Sequence, residues 1–443
     1  MIKRTTLSLL MGLTLSLPAL SSAALQNDSS PIDLYEAVNL ALNNAPEWRG
    51  LQKDIAAQQE SVAQARSRLL PSVGLTAQTA KTDGESSIES TVIDTTEGNV
   101  HSLEIAISQP LIQFDAWFSY QAEKRNSERL DHQLNASYQA FIVDVADAYL
   151  DVLRANAEYT FAEAELSAIR QQLEQAKQRF RVGLIAITDV HEAQAVNDLA
   201  EVNKIAAATQ LDITFENLGR LTGTTVRLVQ PIKKNLPIAN PTPNDMAQWV
   251  SMAEEDNPNV LAAKTAKSAA KQALKSARSL YLPEINLFAS RTDSGSLDID
   301  SEDTTIGVEL SVPLFQGFRT YSFNKQSSLE YLSSQDSLVA EIRSTQQNTR
   351  NLFRSVLTDV LRVSARQQAI KSSTSALDAT EAGYEVGTRN VIDVLNAQRS
   401  LFAAKRDYEG ARYDFIINSL RLKQAAGKVN ADEIKALNQW VGQ

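Results

Sequence analysis

The chain has 443 residues, of which 16 are Gly and 12 are Pro, about half of average usage for the two residues that most often interrupt regular structure. Hydrophobic residues at 43% and charged residues at 22% argue against disorder, while a mean hydropathy of −0.24 and the lack of a long apolar run beyond the N-terminus exclude a multi-helix membrane protein. The absence of Cys excludes disulfides, thiolate metal sites, Cys nucleophiles and a lipid-modified N-terminal cysteine, and a formal charge of −10 without a basic cluster opposes nucleic-acid binding.

In chain order, Lys3 and Arg4 precede an apolar stretch from Leu7 to Leu17 and then small residues up to Ala24, the pattern of a secretory signal peptide over residues 1–23. The apolar run is about half the roughly 20 residues that a membrane-spanning helix needs. A helix is expected over Leu34–Leu70, stopping before Pro71. Two stretches of period-two alternation follow: Val73, Leu75 and Ala77, then Leu103, Ile105 and Ile107 opposite Ser102, Glu104 and Ser108. Each predicts a strand of about ten residues with one apolar face, the pattern of a membrane-barrel strand and equally of an ordinary half-buried one. Phe114 to Arg181 then runs without Gly or Pro and predicts a single helix roughly 100 Å long. A Val182-Gly183 turn leads into a shorter return helix over Asp189–Leu221. Residues 230–245 carry four of the 12 prolines and predict a stiff, extended linker.

The same order then recurs. A helix is expected over Met246–Leu282, strands around Ile285, Leu287 and Ala289 and around Ile306, Val308 and Leu310, a long helix over Phe318–Glu385, a Val386-Gly387 turn and a return helix over Asp393–Ala426. Phe180, Val182-Gly183, Asp189-Val190 and Ala193-Gln194 recur at an offset of 204 as Tyr384, Val386-Gly387, Asp393-Val394 and Ala397-Gln398. The expected organisation is therefore a duplicated unit, residues 24–229 and 246–427, joined by the linker and followed by a tail over 428–443. In each unit the two shorter helices together match the length of the long one, so they could stack end to end along it.

The connections Thr82–Val100 and Thr292–Thr305 together hold ten Asp or Glu and no Lys or Arg, and are expected to be loops in water. A calcium loop at Asp298, Asp300, Glu302 and Asp303 lacks the glycine that an EF-hand requires. Four strands cannot close a barrel, and open edges in lipid leave backbone groups unsatisfied, so membrane strands would have to be completed by other copies; three chains supply twelve.

The runs Phe180–Val190, Glu381–Leu395 and Ala411–Asn418 resemble the TolC family of outer-membrane efflux proteins, and the resemblance covers nearly the whole chain after the leader. It implies a mainly α protein with a membrane β-barrel: a homotrimer with four strands per chain in a 12-stranded barrel in outer-membrane lipid, plus a long periplasmic α-helical tunnel. The implied function is an outer-membrane exit duct for efflux or type I secretion, docked to an inner-membrane transporter through a periplasmic adaptor. It further implies a periplasmic constriction, whose positions here are Thr188, Asp189, Tyr384, Arg389 and Asp393, between the hairpin turns at Gly183 and Gly387. The family's second acidic ring falls on Asn396, which carries no charge, so cation preference would rest on Asp393 and Glu192.

Asp189 and Asp393 are also suited to capping the return helices, and Glu192 three residues after Asp189 fits a capping box. Capping and gating can coexist. The stripe Asp144, Asp147, Asp151 shares one helical face and is expected to be solvated. Phe114, Trp117, Phe118, Phe315 and Phe318 at the strand-to-helix junctions fit either an aromatic belt or helix packing. No P-loop, dinucleotide fingerprint, zinc motif or nucleophile elbow is present, so no enzyme activity, cofactor or metal is expected and energy must come from a partner. A periplasmic coiled-coil scaffold that enters no membrane is the alternative.

Overall fold

The structure of the chain, a computed structural model, describes residues 31–88, 91–233, 235–296 and 299–442; the leader expected at 1–23 and the candidate ligand Asp298 lie outside the described residues. Residues 31–70 form three helices, α1 (Leu34–Asn44), α2 (Pro46–Gln59) and α3 (Ser61–Ser67), where one was expected. Pro46 causes the sharper break. Lacking an N–H, it holds the first position of α2 and forces Ala45 into an extended conformation. The equivalent break at Pro258 divides α6 (Met246–Asp256) from α7 (Pro258–Ser279), and there the Asn257 side chain caps the second helix.

Strands β1 (Ser72–Ile88) and β2 (Thr91–Ile112) run far past the expected ten residues, as do β3 (Glu284–Ser296) and β4 (Ile299–Ser311) to a lesser degree. The acidic stretches expected as loops are therefore mostly strand: β1 and β2 stay paired from Ser72↔Ser108 up to Ile88↔Thr91. Antiparallel pairing satisfies the backbone whatever the side chains are, so a polar sequence can prolong a hairpin once its apolar base has aligned it. Pro110 lies inside β2 beside a register shift, the position at which a residue without an N–H is tolerated.

The four strands form one antiparallel sheet in the order β1-β2-β3-β4, with β1 and β4 as free edges. The register places Val73 beside Ile107, Ile107 beside Ala289 and Ala289 beside Ile306. This row is therefore apolar across all four strands, and on the same face Val73, Ile306, Val308 and Leu310 are each at least 62% exposed. Higher on that face the chemistry turns charged, where Arg291 pairs with Glu302 at 3.0 Å. The other face carries Thr76, Glu104, Thr292 and Asp303 in one row. Among the described residues no helix is long and apolar enough to cross a membrane.

Two helices dominate the rest: α4 (Phe114–Arg181, 68 residues) and α8 (Arg319–Glu385, 67 residues). Each turns at its far end into a return helix, α5 (Ile187–Thr222) or α9 (Val391–Ala425). The shorter helices do lie along the long ones, but not strictly within one repeat: α7 packs against both α4 and α8, and α9 packs against both α8 and α4. The junction aromatics Phe114, Trp117, Phe315 and Phe318 are exposed, whereas Phe118 is half-buried under Lys275, 5.6 Å from its ring centre.

The main core sits midway along the helices. Leu34 and Val38 of α1, Ile142, Val145 and Tyr149 of α4, Val356 of α8 and Ile416 and Leu420 of α9 meet there. They are joined by Ile434 of α10 (Ala431–Asn438), a helix in what was expected to be a plain tail. The Pro-rich linker wraps this core and is tied down at several points. Tyr149 Oη donates to Gln230 O at 2.7 Å, Arg412 Nη2 donates to Lys233 O at 2.6 Å, and Ile232 bridges Val441.

Candidate gate at the helical tip

Both hairpins turn at the end of the rod farthest from the sheet. Gly183 (φ 78°) and Gly387 (φ 79°) adopt the left-handed conformation that a side chain disfavours, which lets each long helix stop within one turn. The neighbouring Val182, Leu184 and Val386 are at least 70% exposed.

The second turn carries most of the expected residues. Asn390, not Asp393, is the N-cap of α9: its side chain accepts from the Asp393 N–H at 2.8 Å, and the Asp393 carboxylate accepts in return from the Asn390 N–H at 3.4 Å. Asp393 is thus the third-position partner of a capping box. Arg389 reaches the same carboxylate at 3.7 Å, so it is drawn to Asp393 rather than being a detached turn residue. Asn396, one helical turn on, is exposed. The Asn-x-x-Asp spacing was visible in the sequence; the residue overlooked was the asparagine, whose short amide serves as a cap as well as a carboxylate does.

The first turn differs. Ala186 is the N-cap of α5 and makes no side-chain hydrogen bond, and Asp189 lies inside the helix, its N–H bonded to Ala186 O at 3.2 Å. Asp189 is therefore not a cap, and the expected capping box with Glu192 does not form. Its carboxylate still sits in the first turn, where the positive end of the helix dipole favours it. Thr188 is exposed, and among the described residues no hydrogen bond or ion pair within the chain joins Thr188 or Asp189 to Tyr384 or Arg389.

Tyr384 is buried, with its ring against Arg179 of α4: the guanidinium carbon lies 4.1 Å from the ring centre, and Arg179 Nη1 donates to Tyr384 O at 3.4 Å. Among the described residues the Tyr384 hydroxyl has no hydrogen-bond partner. Arg179 was not singled out from sequence. Four residues before Gly183, it crosses from one hairpin to the other, a contact that exists only once the two hairpins stand side by side. Beneath this pair lies a second, smaller core: Leu166, Ile169, Leu173 and Ala176 of α4, Ala193 and Ala200 of α5, and Val391, Val394 and Leu395 of α9.

Farther up, Asp147 pairs with Arg421 at 2.8 Å, while Asp144 and Asp151 line a cleft with Thr214 and Asn217 of α5. Partial desolvation and the neighbouring Asp147 raise the pKa of both carboxyls above the ordinary carboxylate range. Asp144 and Asp151 are nonetheless exposed, as expected, and only Asp147 is half-buried in its ion pair. No group of residues suited to a metal ion occurs among the described residues.

The sequence profile of the outer membrane efflux protein family matches residues 37–224 and 249–428. The chain is 34% identical over 433 residues to the outer membrane protein TolC of Vibrio cholerae, covering 95% of this chain and 97% of that protein. It is 30% identical over 448 residues to TolC of Escherichia coli, covering 98% and 88%. Its fold matches crystal structures of CusC with a TM-score of 0.79 at 17% identity, over 89% of this chain and 92% of that one. A four-stranded sheet with two free edges at one end of a helical rod, and matches over nearly the full length, place this chain in the outer membrane efflux protein family.

Proposed function

We propose that three copies of this chain form a passive exit duct whose periplasmic mouth is narrowed by the tip of the second hairpin. The observation that carries this reading is the sheet: its apolar face is exposed and both edges are unpaired, so it is satisfied in lipid only when other copies complete it. Three sheets supply the twelve strands of a barrel in the outer membrane, and the helices below continue as a tunnel of roughly 100 Å. A duct performs no chemistry of its own. Energy enters through an inner-membrane transporter, reached through a periplasmic adaptor. The duplicated units are residues 24–229 and 246–427, so each chain contributes two hairpins to the mouth.

At that mouth Arg389 and Asp393 hold the start of α9, with Tyr384 wedged behind it; Thr188 and Asp189 at the start of α5 face the neighbouring copy. Asp393 supplies the ring of charge nearest the opening, and Asn396 leaves the next ring neutral. Trimers in planar bilayers test the assignment. Asp393→Ala should weaken cation over anion selectivity, and Asn396→Asp should strengthen it. An Asp393→Ala channel as selective as the wild type would remove Asp393 from the constriction. Recovery of the protein in the soluble periplasm would favour the scaffold reading.

A further inference from the structure

The two apolar cores are separated by a polar waist. The main core ends at Leu153 on α4 and Ala411 on α9, and the tip core begins at Leu166 and ends at Leu395 on the same helices. Between them the helices meet through the ion pairs Arg366 with Asp407 at 2.7 Å and Arg406 with Glu165 at 3.2 Å, and Arg154 with Asp414 at 2.9 Å marks the border with the main core. Arg399, one heptad before Arg406, comes within 4.0 Å of Glu165 from the other side. Here α4, α8 and α9 enclose an open cleft of about 570 Å³. At the border of the waist with the main core, next to Ala411, α9 carries Gly410, and nothing lies within 4 Å of where its Cβ would be.

These features have a common mechanical sense. Close-packed apolar layers resist shear, because any displacement opens voids or forces overlaps. Exposed ion pairs in a wet cleft part at little cost, since water replaces each lost partner. Glu165 differs from the others. Its side chain is 7% exposed, so its two arginines are the main compensation for a buried charge. A mid-helix glycine beside an open cleft is where a long helix bends most readily.

We propose that the waist is the hinge of the tip: Glu165, clasped by Arg399 and Arg406 across the seam between α4 and α9, holds the tip bundle in its closed alignment, and α9 bends at Gly410 when the clasp releases. Glu165 is then a positioning residue for the mouth, remote from the constriction itself. This rests on the tip being the gate, and the test separates the two.

Because the native chain has no Cys, a spin label at Val386→Cys reports the spacing of the three second-hairpin turns in the assembled trimer. Glu165→Gln should widen that spacing and raise planar-bilayer conductance severalfold while the trimer stays intact. The exchange Glu165→Arg with Arg406→Glu should restore both, and Gly410→Ala added to Glu165→Gln should reduce the widening. Intact Glu165→Gln trimers with wild-type spacing and conductance would overturn the clasp, and widening indifferent to Gly410→Ala would overturn the hinge. If Glu165→Gln does not assemble, Gly410→Ala is read instead in an Arg389→Ser background, where it should limit opening; no effect there counts against the hinge. Arg389→Ser that opens the tip while Glu165→Gln does not leaves the gate standing and removes the waist. Failure of both removes the gate and the waist together.

Discussion

The middle of the molecule and its tip are built from the same helices, yet they are secured in different ways. At the middle, α4 and α9 are gripped by α1, α8, α10 and the linker around one core. There the left-handed Gly427 (φ 69°) lies so close to α6 that a Cβ would fall 2.3 Å from Asp256 O. At the tip, Gly387 has the same backbone conformation but nothing within 4 Å of a Cβ. One glycine is required by both conformation and space, the other by conformation alone. A chain that must stay anchored at one level and move at another can thus keep the same helices and vary only how densely they are surrounded.

The largest effect is expected where that packing is densest. Tyr149→Ala removes a fully buried ring and the hydroxyl that holds the linker, and should cost about 3–5 kcal/mol, read as a large fall in the denaturant midpoint. The glycine pair tests the contrast directly. Gly427→Ala combines left-handed strain with overpacking and should cost about 2–4 kcal/mol, whereas Gly387→Ala should cost only the strain, about 1–2 kcal/mol. Equal losses would mean that the two ends are not differently packed. Asn390→Ala should cost about 1 kcal/mol through loss of the cap, observable as faster amide exchange confined to the first turn of α9.

The smallest effect concerns the carboxylate stripe. The Asp144 pKa is raised in the folded chain, so its contribution to stability is full below the ordinary carboxylate pKa and is lost as pH rises through the raised value. Asp144→Asn should therefore stabilise the protein at neutral pH by on the order of a few tenths of a kcal/mol, and the gain should vanish in acid. A gain that persists at low pH would point to packing rather than charge.

Much of this was legible in the sequence because it is local. Phe114–Arg181 lacks any breaker and forms one helix with those bounds, and the Val-Gly pairs mark both turns. Alternation located all four strands but not their lengths, since backbone pairing continues beyond the apolar residues that set the register. Asp393 was placed at the correct turn in a slightly wrong role, and Asp189 was assigned a cap that Ala186 occupies, because capping is decided by one backbone angle that composition does not reveal. Arg179 and Glu165 were unreadable, as each matters only through a residue more than 200 positions away.

By itself, then, the sequence located most of the elements, their order and the family, because the spacing of apolar residues and the placement of a few Gly and Pro act over short distances. Only the tertiary structure decided that α7 would lie between the two long helices, that the linker would wrap one core, and that a polar waist would separate that core from the tip. Those outcomes depend on which helical faces meet, a choice made by shape and charge between segments distant in the chain.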